Sequence, residues 1–83
     1  MFQEKMITNE DDKLMVMAAV RYCLGRSRCM SRVGADWLKR NWHRIVPGEQ
    51  NLLLGDIEDE IPRMQLETDI FVWKEFLKWA ESQ

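Results

Sequence analysis

Hydrophobic residues along this chain recur at intervals of three and four, and turn-forming residues cut the pattern into four stretches. The first opens at Asn9-Glu10-Asp11-Asp12, a capping side chain followed by acids that suit the positive end of a helix dipole. An apolar run from Leu14 to Val20 follows, and Gly25 is a natural stop. That run is apolar on every side, which predicts a helix surrounded by its neighbours and central in the fold. Arg26 to Met30 reads as a short connection, and Ser31 as the cap of a second helix from about Arg32 to Ile45. Val33, Trp37 or Leu38, Trp42 and Ile45 form its stripe. Pro47-Gly48 marks a turn before a third helix, about Glu49 to Ile61. There Leu53, Leu54, Ile57 and Ile61 share one side and Asp56, Asp59 and Glu60 the other, and Pro62 ends the run. Thr68 or Asp69 caps a fourth helix to about Ser82, with Ile70, Trp73, Leu77 and Ala80 as its buried stripe, widened by Phe76 and Trp79.

Strict alternation and Asn-Gly or Asp-Gly hairpin turns, the signals of strands, are missing from the sequence. The expected fold is therefore all-α, a small irregular bundle of about four helices forming a single domain over 9–83, with residues 1–8 as a flexible N-terminal arm. Gly34 and Gly55 fall inside predicted helices. Each costs about 1 kcal/mol against Ala, so a packing reason is expected. Gly55, beside Leu54 and Ile57, is the expected point of close approach to a neighbouring backbone, the alternative being an irregularity on the solvent side.

Composition adjusts this picture only slightly. In 83 residues, 46% are hydrophobic and 31% charged, too apolar for a disordered chain. Four Trp and three Phe supply large side chains for a small core. The longest apolar run is far short of the roughly 20 residues that span a bilayer, so no membrane partner is expected. With two cysteines, Cys23 and Cys29, and acidic residues where a secretory leader would be apolar, the chain reads as a reduced, soluble, cytoplasmic protein.

Charge is sorted by position. Arg21, Arg26, Arg28, Arg32, Lys39, Arg40 and Arg44 stand against the single anion Asp36 in one block. Glu49, Asp56, Glu58, Asp59, Glu60, Glu67 and Asp69 stand against the single cation Arg63 in the next. Blocks of opposite sign set where partners of each sign dock. Arg26, Arg28, Arg32, Lys39, Arg40 and Arg44, interleaved with Trp37 and Trp42, form a candidate basic face for phosphates and bases or for a protein. Asp56, Asp59 and Glu60 form a candidate acidic face able to occupy a basic groove much as a phosphate backbone does. The alternative is that the two blocks face each other within the fold or across a homodimer.

Other chemistry is poorly served. Cys23, Cys29 and His43 are too few for a closed zinc site, and Asp56 to Glu60 lacks the glycine and terminal glutamate of a calcium loop. Asp36 and His43, seven apart, could share a helix face and orient a general base, although a surface histidine beside cations is the ordinary outcome in a chain with one His and no motif. The candidate nucleophiles Cys23, Cys29, Ser27 and Ser31 lie in no catalytic signature, and the glycines are scattered rather than gathered into a phosphate loop. The expectation is a binding protein, not an enzyme, with no metal and no cofactor.

The stretch Val16-Met17-Ala18-Ala19-Val20-Arg21-Tyr22-Cys23-Leu24-Gly25-Arg26 resembles a run found in small phage and prophage proteins of unassigned function. Their A-x-R-Y-x-L-G-R core corresponds to Ala19, Arg21, Tyr22, Leu24, Gly25 and Arg26, with Ala35-Asp36-Trp37-Leu38 and Asp56-Ile57-Glu58-Asp59-Glu60-Ile61 where later segments fall. The likeness covers about residues 14–61, and Cys29 or Met30 stands where those relatives often carry an aromatic residue. It implies a phage accessory protein, a class that commonly binds and blocks host machinery, including nucleases and CRISPR complexes, and it supplies no catalytic residues.

Overall fold

The computed structural model describes residues 5–25 and 28–83, apart from the side chains of residues 25, 28 and 29. The helices are α1 (Glu10–Gly25), α2 (Arg28–Asn41), α3 (Pro47–Glu60) and α4 (Glu67–Glu81), with 3-10 turns at Trp42–Arg44 and Ile61–Arg63. The fold is thus the all-α bundle that the periodicity predicts. Asn9 caps α1: its Oδ1 accepts from the backbone N–H of Asp11 at 2.8 Å and of Asp12 at 3.2 Å. Such a cap contributes about 1 kcal/mol.

The other helix ends depart from expectation for local reasons. Ser31 is not a cap. It lies inside α2, 1% exposed, and its hydroxyl donates to the Cys23 carbonyl oxygen at 3.3 Å. The expected run to Ile45 tightens into the first 3-10 turn after Asn41, whose Nδ2 donates back to the Trp37 carbonyl oxygen at 2.9 Å. Pro47 begins α3 rather than ending a turn, because extended Val46 precedes it and its missing N–H is no loss at the first helical position. Leu66 caps α4 without a side-chain bond, so Thr68 and Asp69 fall in the first turn instead of before it.

Packing corrects the expected centre. α2 is the hub, seated on α1 to one side and α4 to the other, while α3 packs mainly on α1. α1 is peripheral. Val20, Cys23 and Leu24 are buried, but Leu14 is 65% and Met15 70% exposed. The core is instead built where α4 meets α2 and α3: Leu38, Leu53, Ile57, Trp73 and Phe76 are fully buried. Phe76 sits edge-on to Trp42 at 5.4 Å and to Trp73 at 5.9 Å between ring centroids. Each such pair adds about 0.5–1.5 kcal/mol beyond the area it buries.

Close helix approach occurs at Gly34, not at Gly55. A Cβ on Gly34 would lie 2.8 Å from Cys23 Cβ and 2.9 Å from its Sγ, whereas one on Gly55 would meet nothing within 4 Å. Of the N-terminal arm, residues 1–4 lie outside the described residues and residues 5–7 are held against the domain. Ile7 pairs with Ile45 in a parallel bridge, its N–H donating to the Arg44 carbonyl oxygen at 2.7 Å. Ile7 also packs against the core. Among the described residues, no helix is long and apolar enough to cross a membrane.

Candidate charged interaction faces

Residues three and four apart on a helix share a face, so α3 presents Asp56, Asp59 and Glu60 together. They line a cleft of about 360 Å³ closed by Arg21 and Leu24 of α1 and by Arg63 of the second 3-10 turn. Arg21 Nε donates to Asp56 Oδ2 at 3.2 Å, and Arg63 Nη1 to Glu60 Oε1 at 3.2 Å. Both arginines are largely exposed, so each pair contributes about 0–1 kcal/mol and orients side chains more than it stabilises the fold. Asp59 is exposed and enters no ion pair among the described residues. The carboxylates are therefore gathered as expected, with two of them steered by neighbouring arginines.

The basic candidates are dispersed. Arg26 and the side chain of Arg28 lie outside the described residues. Arg32 and Arg40 are exposed on α2 with no ion pair among the described residues. Lys39 is half-buried and lines a separate hollow with His43, Gln50 and Trp79. Arg44 serves the fold rather than an open face: its Nη1 donates to Asn41 Oδ1 at 2.9 Å and its Nε to the Lys5 carbonyl oxygen at 3.0 Å. Trp42, expected between the cations, is buried in the core at 6% exposure and offers no stacking surface.

The two blocks do not form two clean faces: Arg21 of the basic block stands in the acidic cleft, and Asp69 of the acidic block is buried on α4. Arg21–Asp56 is the one ion pair joining them among the described residues.

The remaining candidates for chemistry do not converge. Since α2 ends at Asn41, His43 lies on the 3-10 turn and not on the helix that carries Asp36. Burial pushes the Cys23 thiol up from its ordinary 9.0, away from the reactive thiolate. The side chain of Cys29 lies outside the described residues. Among the described residues, no three His, Cys, Asp or Glu side chains are grouped to hold a metal ion.

Two features escaped the sequence reading. Asp69 is 9% exposed, and its Oδ1 has no hydrogen-bond partner among the described residues; nor has Trp73 Nε1 one turn later. Only the tertiary placement of α4 reveals this, since Asp in a first helical turn is ordinary. The second is an apolar groove of about 380 Å³ between α1 and α2, walled by Met15, Val16, Ala19, Met30, Val33 and Trp37. The spacing places Val33 in the stripe of α2, but the helix turns it outward at 57% exposure with Trp37 half-buried beside it, because the core is met instead by Ala35, Leu38 and Trp42. No protein-family model, curated protein or solved structure matches the chain.

Proposed function

We propose that this is a non-enzymatic phage accessory protein that binds a host or phage protein through the α3 carboxylates and so inhibits a nucleic-acid-handling defence complex, such as a nuclease or a CRISPR effector. The observation that carries the reading is the open acidic cleft, in which Asp56, Asp59 and Glu60 converge and Asp59 enters no ion pair among the described residues. A rigid helix holding carboxylates at fixed spacing complements the basic channel with which such machinery holds a phosphate backbone. The likeness of residues 16–26 to phage proteins supports the class of partner, and a host-cell cytoplasm is where it would be met.

The test is to incubate the protein with purified nucleases and CRISPR effectors and to measure complex formation and cleavage. An Asp56→Lys, Asp59→Lys variant should lose about 2 kcal/mol or more of affinity, roughly thirtyfold, because like charges are then opposed. Its thermal stability should change by about 1 kcal/mol or less, since only the exposed Arg21 pair is lost. Wild-type affinity in that variant would refute the acidic face.

One observation favours a second reading, that the protein is a small nucleic-acid-binding accessory or regulatory factor. Arg32 and Arg40 are exposed on α2 and lack ion pairs among the described residues. This reading requires affinity for labelled DNA or RNA that falls steeply with salt and that weakens in Arg32→Glu, Arg40→Glu. Absence of a shift at low salt discards it.

A further inference from the structure

Asp69 is a buried acid that no described group serves. It is 9% exposed, and its Oδ1 has no hydrogen-bond partner among the described residues. Buried polar groups are ordinarily paired, and one left alone bears the full penalty of losing water. The helix forces this position. Asp69, Trp73 and Phe76 follow at intervals of four and three, so the stripe that brings two rings into the core of α4 brings the carboxylate with them.

The carboxylate is not sealed off. Asp69 lines a hollow of about 390 Å³ between the end of α1, the second 3-10 turn and the start of α4. Leu24, Met64 and Leu66 give that hollow apolar walls, and Glu60 and Arg63 complete it. Arg63, the cation in the described lining, pairs with Glu60 at 3.2 Å and not with Asp69. The torsion that exchanges the two oxygens of an aspartate is soft, so either oxygen can be turned towards the hollow.

Apolar walls around a carboxylate suit a long cationic side chain, whose methylenes lie along the walls while its head meets the acid. A guanidinium fits better than an ammonium. It is more weakly hydrated, and it offers parallel N–H groups to both carboxylate oxygens. We propose that this hollow receives an arginine side chain of a bound protein, its guanidinium on the Asp69 carboxylate and its methylenes against Leu24, Met64 and Leu66. The hollow shares Leu24, Glu60 and Arg63 with the acidic cleft, so the cleft draws in a basic surface and the hollow takes one arginine from it. That the arginine comes from the partner rests on the acidic-face reading; the preference for a guanidinium does not.

The test titrates the isotope-labelled full chain with N-acetyl-arginine methylamide, and with its uncharged citrulline counterpart, and follows the protein by nuclear magnetic resonance. The Trp73 indole N–H, one turn from Asp69 and itself unpartnered among the described residues, is the reporter. The arginine probe should shift that signal saturably, with a Kd on the order of millimolar, as for a small fragment. The citrulline probe should leave it in place. Asp69→Asn, checked for folding by circular dichroism, should weaken the arginine probe by about tenfold or more. Arg63→Ala should tighten it, because Glu60 then turns to the same cation. A Trp73 signal indifferent to the arginine probe, or equally responsive to citrulline, overturns the proposal and leaves Asp69 and Trp73 to satisfy each other. Wild-type probe binding in Asp69→Asn overturns it as well. The acidic-face reading fails differently: the Asp56→Lys, Asp59→Lys variant then captures purified nucleases and effectors like wild type while the probe still shifts Trp73. If Asp69→Asn loses the probe yet captures those proteins like wild type, the hollow takes no arginine of the partner and the proposal falls.

Discussion

α1 and α4 carry comparable amounts of apolar surface, yet the fold treats them oppositely. α4 places Trp73 and Phe76 in the centre, both fully buried, while α1 leaves Leu14 and Met15 largely in solvent. The difference lies in period rather than amount. In α4 the large side chains return at three- and four-residue intervals opposite a charged side, so one face is worth burying and the rest is worth wetting. In α1 the run from Leu14 to Val20 has no polar side to direct it. Its orientation is then decided by other residues: Val20, Cys23 and Leu24 beneath, Arg21 reaching Asp56 on α3, and Gly34 letting α2 come close to Cys23.

The contrast is open to direct attack. Phe76→Ala should have the largest effect, a loss of about 3–5 kcal/mol in urea unfolding, because Phe76 touches the rings of Trp42, Trp73 and Trp79. Leu14→Ala should cost about 0.5 kcal/mol or less, as for a surface site. Equal losses at the two positions would mean that α1 is as buried as α4.

Next in size is the pair of glycines. Gly34→Ala places a Cβ 2.8 Å from that of Cys23 and should destabilise by about 1–3 kcal/mol as α1 and α2 are forced apart. Gly55→Ala enters open space within α3 and should stabilise by roughly 0.4–1 kcal/mol. Opposite signs in thermal melts locate the tight crossing at α1–α2, and a reversal would move it to α3.

The smallest effect concerns pH. Desolvation raises the Cys23 thiol above its ordinary 9.0, so the fold favours the protonated form. The stability this contributes is complete below the unfolded thiol's pKa and is lost as pH rises towards the folded value. Denaturation midpoints should therefore fall more steeply above about pH 9 in wild type than in Cys23→Ala. Identical slopes would show that the α1 edge at Cys23 is wet.

Much of the architecture could be read from the residues in order. The Asn9 cap and the place of Trp73 on the α4 stripe are local signals that the structure uses where they stand; Pro47 opens α3 instead of marking a turn, and Phe76 is fully buried while Ile70, Leu77 and Ala80 are only partly covered. The acidic face was equally legible, because Asp56, Asp59 and Glu60 lie within two turns of one helix, whereas the cleft it lines needs Arg21 and Leu24 of α1 and is a tertiary feature. What escaped depends on neighbours remote in sequence. Ser31 has the chemistry of a cap, and only the proximity of the Cys23 carbonyl diverts it. Arg44 looks like one more surface cation until Lys5, 39 positions earlier, occupies it. Gly34 and Gly55 are indistinguishable as letters, and the difference between them is the thiol packed over one.

The Gly34–Cys23 contact also makes the thiol a clock. In a Cys29→Ser background, a bulky maleimide should label the buried Cys23 thiol faster whenever α1 lifts from α2, so the labelling rate under native conditions times the opening of that helical seam.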